Sequence, residues 1–219
     1  MANGSSDNPD VMPDSITLKV LSAIEEDDRA TQRAISQELG IALGLTNAYL
    51  KKCVRKGFIK VRQIPANRYA YYLTPQGFAE KSRLTAEYLS ISFRFFRSSR
   101  EQCAQILEEC AARRWTRIAL AGCGDLAEIA TLCVRDMQGV KIVGIIDTAA
   151  GDEGGDRNFA GLPVVGRLTD LAKVHAVVIT DINNGQRVFD ALSREIPPER
   201  VLTVPLLKVS RIQPRLADD

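Results

Sequence analysis

Four short apolar runs in the second half of the chain, Thr116–Ala121, Val140–Ile146, Val174–Thr180 and Val201–Pro205, are separated by stretches with helical spacing. Short strands alternating with helices predict a parallel sheet with helices flanking it. The first half has a different rhythm, helix, helix, glycine turn, helix, then two β-prone runs. A chain of 219 residues, 45% of them apolar, is long enough for two modest cores. The expected fold is therefore α/β with two domains.

The first apolar run leads directly into Gly122, Cys123, Gly124, Asp125, Leu126 and Ala127, a G-x-G-x-x-A loop opening a helix whose inner face carries Ile129, Leu132 and Cys133. Glycines there let the backbone approach a phosphate, and the helix N-terminus offers free N–H groups and a favourable dipole. Asp147 ends the second run 23 residues after Gly124, near the spacing at which a carboxylate meets a ribose hydroxyl. This is a Rossmann-like pattern. Asp147 disfavours a 2′-phosphate, which places NAD or a nucleoside diphosphate ahead of NADP, while Asp125 opposes a pyrophosphate. A second reading stays open, in which the glycines only permit a tight turn in an interaction scaffold.

In the first half, Asp14 is expected to cap a helix with Ile16, Val20, Leu21 and Ile24 at helical spacing, ending in the acidic cluster 25–28. Thr31 caps a second helix, which turns Ile35 and Leu39 inward and stops at Gly40. The third helix carries Leu43, Thr46, Leu50 and Val54 as its buried stripe, leaves Leu45, Asn47, Ala48, Lys51 and Lys52 accessible, and ends at Gly57. Two β-prone runs, Phe58–Ile64 and Tyr69–Leu73, follow around the turn-type sequence Pro65, Ala66, Asn67, Arg68. That order is a winged helix-turn-helix, whose third helix enters the major groove of double-stranded DNA.

Charge is distributed to match. From Leu39 to Ala79 there is no Asp or Glu, yet Lys51, Lys52, Arg55, Lys56, Lys60, Arg62 and Arg68 fall inside that stretch. One-sign charge on the helix and wing that would meet a duplex is the footprint of a phosphate-facing surface. Asn47 suits a base edge, and Lys51, Lys52, Arg62 and Arg68 suit phosphates. The plainer alternative is a solvated cationic face.

The run GIALGLTNAYLKKCVRKGFIKVR and the later YYLTPQGFAEKSRLTAEYL resemble the MarR-type regulators associated with exopolysaccharide gene clusters, over roughly residues 30–97. Gly40, Ile41, Leu43, Gly44 and Asn47 match that family's G-I-S-L-G-x-x-N start of the recognition helix. Ala42 stands where the family has serine. The T-P-x-G start at Thr74–Gly77 and the run Arg83–Thr85 also match and open a long helix. Its apolar residues Phe78, Leu84, Tyr88, Leu89, Ile91, Phe95 and Phe96 need a partner, either a second copy in a homodimer or the chain's own second domain.

Residues 115–206 resemble the nucleotide-binding domain of sialic-acid and amino-sugar O- or N-acyltransferases, through AGCGDLAEIA, GIID at Gly144–Asp147, GLPVVG at Gly161–Gly166 and NNGQR at Asn183–Arg187. That resemblance implies a nucleotide-sugar ligand of UDP or CMP type, with Asn183, Asn184 and Arg187 near it. The redox-sensing repressors that join a winged helix to an NADH-binding Rossmann domain are also similar, which makes NAD(H) the alternative ligand. The acyltransferases' left-handed β-helix has no counterpart here, so their chemistry is not expected.

The reading is a tail at 1–13, a DNA-binding domain at 14–74, linker and dimerisation helices at 75–114, a ligand domain at 115–207 and a tail at 208–219. The opening 13 residues hold no apolar run, which implies no signal or membrane segment and a cytoplasmic protein. Five cysteines without a C-x-x-C pair and one histidine, His175, imply reduced thiols and no metal site. His175 opens a strand at the end opposite the glycine loop. Cys123 lies where a helix N-terminus could stabilise a thiolate. With no partnered acid and base, the chain reads as a sensor and not an enzyme, the alternative being a nucleotide-sugar-modifying enzyme with a DNA-binding module.

Overall fold

The computed structural model describes residues 13–27, 31–64, 68–135, 137–147 and 157–211. Of the expected tails at 1–13 and 208–219, residues 1–12 and 212–219 lie outside the described residues, as do the turn residues 65–67 and Asp28. Two compact units divide after Phe93.

The first unit contains α1 (Pro13–Glu26), α2 (Gln32–Leu39), α3 (Leu43–Arg55), β1 (Ile59–Ile64), β2 (Arg68–Leu73) and the start of α4 (Pro75–Ala112). Proline opens α1, where its missing N–H has no intrahelical partner to lose, so Asp14 lies in the first turn instead of capping it. Ile16, Val20, Leu21 and Ile24 are buried as their spacing requires. The Thr31 hydroxyl accepts from the Ala34 N–H at 3.1 Å and starts α2. Gly40, at φ 63°, ends it by donating to the carbonyls of Ser36 and Gln37. β1 and β2 pair antiparallel from Ile59 opposite Leu73 to Ile64 opposite Arg68. Ile35, Leu50, Cys53, Phe58, Ile59, Tyr71 and Leu84 complete the core with α1.

α4 is one helix of 38 residues, where more than one linker and dimerisation helix was expected over 75–114. No glycine or proline interrupts residues 78–112, so nothing breaks the hydrogen-bond ladder. Leu84 belongs to the first core and Cys103, Ile106, Leu107 and Cys110 to the second.

The second unit is built on a six-stranded sheet. β3 (Arg117–Ala121), β4 (Lys141–Ile146), β5 (Asn158–Phe159), β6 (Leu162–Val165), β7 (Ala176–Ile179) and β8 (Val201–Thr203) are arranged β5-β6-β4-β3-β7-β8, with α5 (Asp125–Arg135) after β3 and α6 (Gly185–Glu195) after β7. All neighbours are parallel except the short edge pair β5–β6, which the sequence reading did not anticipate. Alternate residues face opposite sides. Ile118, Leu120, Ala176 and Val178 pack with α5 and the end of α4, while Ala119, Ala121, Val177 and Ile179 pack with Phe189 and Leu192 of α6. A register irregularity passes over Val143, so Ile142 and Ile145 reach the same core. Leu132, expected inside, is 40% exposed, and Leu126, Ala127, Ile129, Ala130 and Cys133 form the inner face of α5. Among the described residues no helix is long and apolar enough to cross a membrane.

Candidate nucleic-acid interface and ligand crevice

α3 buries Thr46, Leu50 and Cys53, which recur at helical spacing. Leu43 and Val54, expected in that stripe, are 43% and 39% exposed. Burial also pushes the Cys53 thiol up to about 11, which leaves it a protonated core group. Opposite the buried stripe lie Gly44, Ala48, Lys51 and Arg55, all exposed and spaced along one face, with Leu45 beside them. Ala42 occupies the N-cap and supplies no side-chain hydrogen bond.

Asn47 lies at the edge of that face, one turn before Lys51. It is half-buried beside the hairpin, lining a groove of about 430 Å³ with Lys51, Val54, Arg55, Val61, Tyr69 and Tyr71, and its Oδ1 is buried without a hydrogen-bond partner among the described residues. Lys52 is half-buried with its Nζ 5.4 Å from the centre of the Tyr49 ring. Lys60 and Arg62 are exposed on β1. Arg68 opens β2 opposite Ile64, and its side chain lies outside the described part. The cations the sequence singled out therefore divide into an outward group, Lys51 and Arg62, and one packed on its own helix, Lys52. Arg55 and Lys60 belong with the outward group.

Thr74 ties the hairpin to α4. Its hydroxyl donates to the Gly57 carbonyl at 2.6 Å and accepts from the Gly77 N–H at 3.0 Å, as an N-cap does. The T-P-x-G sequence is therefore a clasp between the end of α3, β1 and α4.

In the second unit a crevice of about 400 Å³ opens at the carboxyl ends of β3, β4, β6 and β7. Here β4 lies on one side of β3 and β7 on the other, the strand reversal at which open α/β sheets bind ligands. Gly122, Asp147, Gly166, Arg167, Asp181, Asn184, Arg187 and Glu195 line it, with Ile146, Leu168, Val188, Ala191 and Leu192 as its apolar part. Of the expected ligand residues, Gly122, Asp147, Asn184 and Arg187 converge there.

The others do not line this crevice. Leu126 is fully buried in the core, Asp125 is exposed at the start of α5, and Cys123, Gly124 and Asn183 lie outside the lining. The Cys123 thiol is pushed up by burial and then by the neighbouring Asp147 carboxylate, so the expected stabilisation of a thiolate is reversed. Asp147 in turn lies 3.9 Å from Arg157.

Asp181 is the residue the sequence reading missed. Its Oδ1 accepts from the N–H groups of Asn183 at 2.9 Å and Asn184 at 2.8 Å, and its Oδ2 accepts from the Asn184 amide at 3.3 Å. The backbone donors ahead of α6 are thus occupied by the chain's own carboxylate. An acidic residue after an apolar run and before N-N-G is a helix-start signal that could have revealed it. Gly122, at φ 108°, donates to the Ile146 carbonyl at 2.8 Å and accepts from the Thr180 hydroxyl at 2.7 Å. At the far end of the sheet, His175 Nδ1 accepts from the N–H groups of Thr116 at 3.0 Å and Arg117 at 3.3 Å, joining β3 to the start of β7.

No curated protein matches the chain. Among solved structures it is similar to S. aureus MepR bound to DNA, at 22% identity and TM-score 0.33 over 39% of this chain and 63% of that one. It is also similar to a MarR transcriptional regulator from Methanosarcina mazei Go1, at 24% identity and TM-score 0.32 over 36% of this chain and 61% of that one. The chain thus spans less than two thirds of either. RSP, a Rex-family repressor, is 12% identical with TM-score 0.32, over 88% of this chain and 86% of that one. All three scores lie well below one half, so the fold rests on the connectivity described above. Residues 13–60, from α1 to the start of β1, match the family model of winged helix-turn-helix DNA-binding domains.

Proposed function

We propose that this chain is a ligand-responsive, DNA-binding transcription regulator of the MarR type. The observation that carries the reading is the outward group Lys51, Arg55, Lys60 and Arg62, all exposed on α3 and β1 in a stretch without carboxylates. Replacing Lys51 and Arg62 together by alanine is expected to weaken duplex binding about 10- to 100-fold and to flatten the salt dependence by about 0.9 for each phosphate no longer neutralised. Filter or fluorescence titration at several salt concentrations checks this, and an unchanged slope would count against the docking.

The ligand we assign to the crevice is a nucleotide-sugar. Arg167 and Arg187 are suited to phosphate oxygens and Asp147 to hydroxyls, which agrees with the resemblance carried by Gly144–Asp147 and Asn183–Arg187. Glycan synthesis controlled by one of its own intermediates is the corresponding role. Thermal unfolding with UDP-, CMP- and GDP-sugars, NAD and NADH tests it, since a ligand of the native state raises apparent stability. Stabilisation by a sugar nucleotide that disappears in Arg187→Ala supports this reading, whereas a response to NADH alone replaces it with redox sensing.

Phe78, Tyr88, Leu89, Ile91 and Phe93 of α4 are between 39% and 58% exposed in the single chain. A homodimer covers such a surface and sets two recognition helices about one DNA turn apart. Sedimentation equilibrium giving a monomer at micromolar protein would remove the dimer. Ligand occupancy then changes operator affinity only through a difference in its affinity for two dimer states, about 1–3 kcal/mol for typical couplings.

A further inference from the structure

In most helices that enter the major groove, polar side chains in the first turns meet base edges. The outward face of α3 does not provide them. Its first two turns present Gly44, Leu45 and Ala48, and the first fully exposed polar side chain of the helix is Lys51, with Arg55 one turn further on. Leu45 is 42% exposed, an apolar side chain held out from the fold and next to Ala48 on the helix surface. Asn47, the residue able to make a paired contact with adenine, is half-buried in the groove it shares with Lys51 and Arg55, and its Oδ1 is enclosed by the fold.

Gly44 adds an independent observation. A glycine in the first turn of a helix gives up helix propensity, and here no neighbour requires it. A Cβ at that position would meet nothing within 4 Å. What the missing side chain does provide is room for another molecule to approach the backbone at the start of α3.

Resting on the DNA-binding reading above, we infer that Leu45 and Ala48 read the C5-methyl groups of thymines in the major groove, with Gly44 allowing the close approach that those short contacts need. The thymine methyl is the apolar feature that a major groove offers, and contact with an alanine or similar side chain is how it is recognised. Lys51 and Arg55, further along the same face, then hold phosphates and fix the register. Specificity in this helix is thus carried by apolar contact, with the Asn47 Oδ1 enclosed by the fold.

The test uses the full chain and duplexes selected from a randomised pool, resynthesised with deoxyuridine replacing thymidine one position at a time. Removing a contacted methyl is expected to weaken binding about fourfold, the worth of one buried methylene-sized group. In the Leu45→Ala protein, whose fold is spared because Leu45 is exposed, the penalty at one of those thymines should vanish. Equal binding of all deoxyuridine duplexes overturns the inference. So does a penalty that persists unchanged in Leu45→Ala, or selection that enriches no sequence although duplexes bind at low salt. Failure to bind any duplex at low salt is a distinct result, which removes the DNA-binding reading and this inference with it.

Discussion

Gly77→Ala is expected to lower the melting temperature of the winged-helix unit by more than about 10 °C and to abolish duplex binding at the assay temperature. A Cβ at Gly77 would lie 2.0 Å from the Phe58 carbonyl oxygen and 2.9 Å from its carbon. These are backbone atoms, so no side chain can swing aside. Phe58 is also fixed on both sides, with its N–H donating to Cys53 at 2.9 Å and its carbonyl accepting from Thr74 at 3.0 Å. Relief therefore requires α4 to move off the hairpin and break the Thr74 clasp. A loss of about 3 kcal/mol corresponds to roughly 12–24 °C in a domain of this size. Calorimetry of the full chain checks it, and a shift below about 2 °C would show that the contact relaxes cheaply.

Gly122→Ala should have a comparable effect on the second unit. The residue combines φ 108° with a Cβ position 2.6 Å from the Asp181 N and 2.7 Å from its Cα. Backbone strain and a clash with backbone act together, for a loss of about 3 kcal/mol or more. Gly124→Ala is the comparison, since it has φ 149° and, among the described residues, nothing within 4 Å of its Cβ, leaving strain without collision. Urea unfolding should rank Gly122→Ala well below Gly124→Ala. Equal stabilities would mean that the β3 loop does not depend on its contact with Asp181.

The parts of the fold that sequence made legible are those decided by neighbours in the chain. Thr31 and Gly40 bound α2 because a hydroxyl acceptor and a residue without a Cβ satisfy the helix ends on their own. The burial of Ile16, Val20, Leu21 and Ile24 follows from spacing alone. Where two apolar residues are adjacent, spacing loses its power. Cys53 and Val54 differ by one position in α3, and the smaller one is inside. The β6 strand was missed because it is four residues long, contains Pro163, and draws its order from pairing with Ile145 and Ile146.

The crevice was half legible for a related reason. The glycine loop and Asp147 announce themselves locally, but what stands over Gly122 is Asp181, brought there by the sheet from far along the chain. Similarly, nothing local distinguishes Asn47 facing the hairpin from Asn47 facing outward. That depends on where β1 and β2 place Val61 and Tyr69.

The carboxylate of Asp181 acts as a tethered competitor. Any free anion approaching the backbone donors of Asn183 and Asn184 must displace a group held there by the chain itself, present at an effective concentration of at least about millimolar. In the proposed nucleotide-sugar reading, inorganic phosphate therefore meets a site already buffered against it. In that reading discrimination passes to the guanidinium groups of Arg167 and Arg187, which can reward a ligand for its shape as well as its charge.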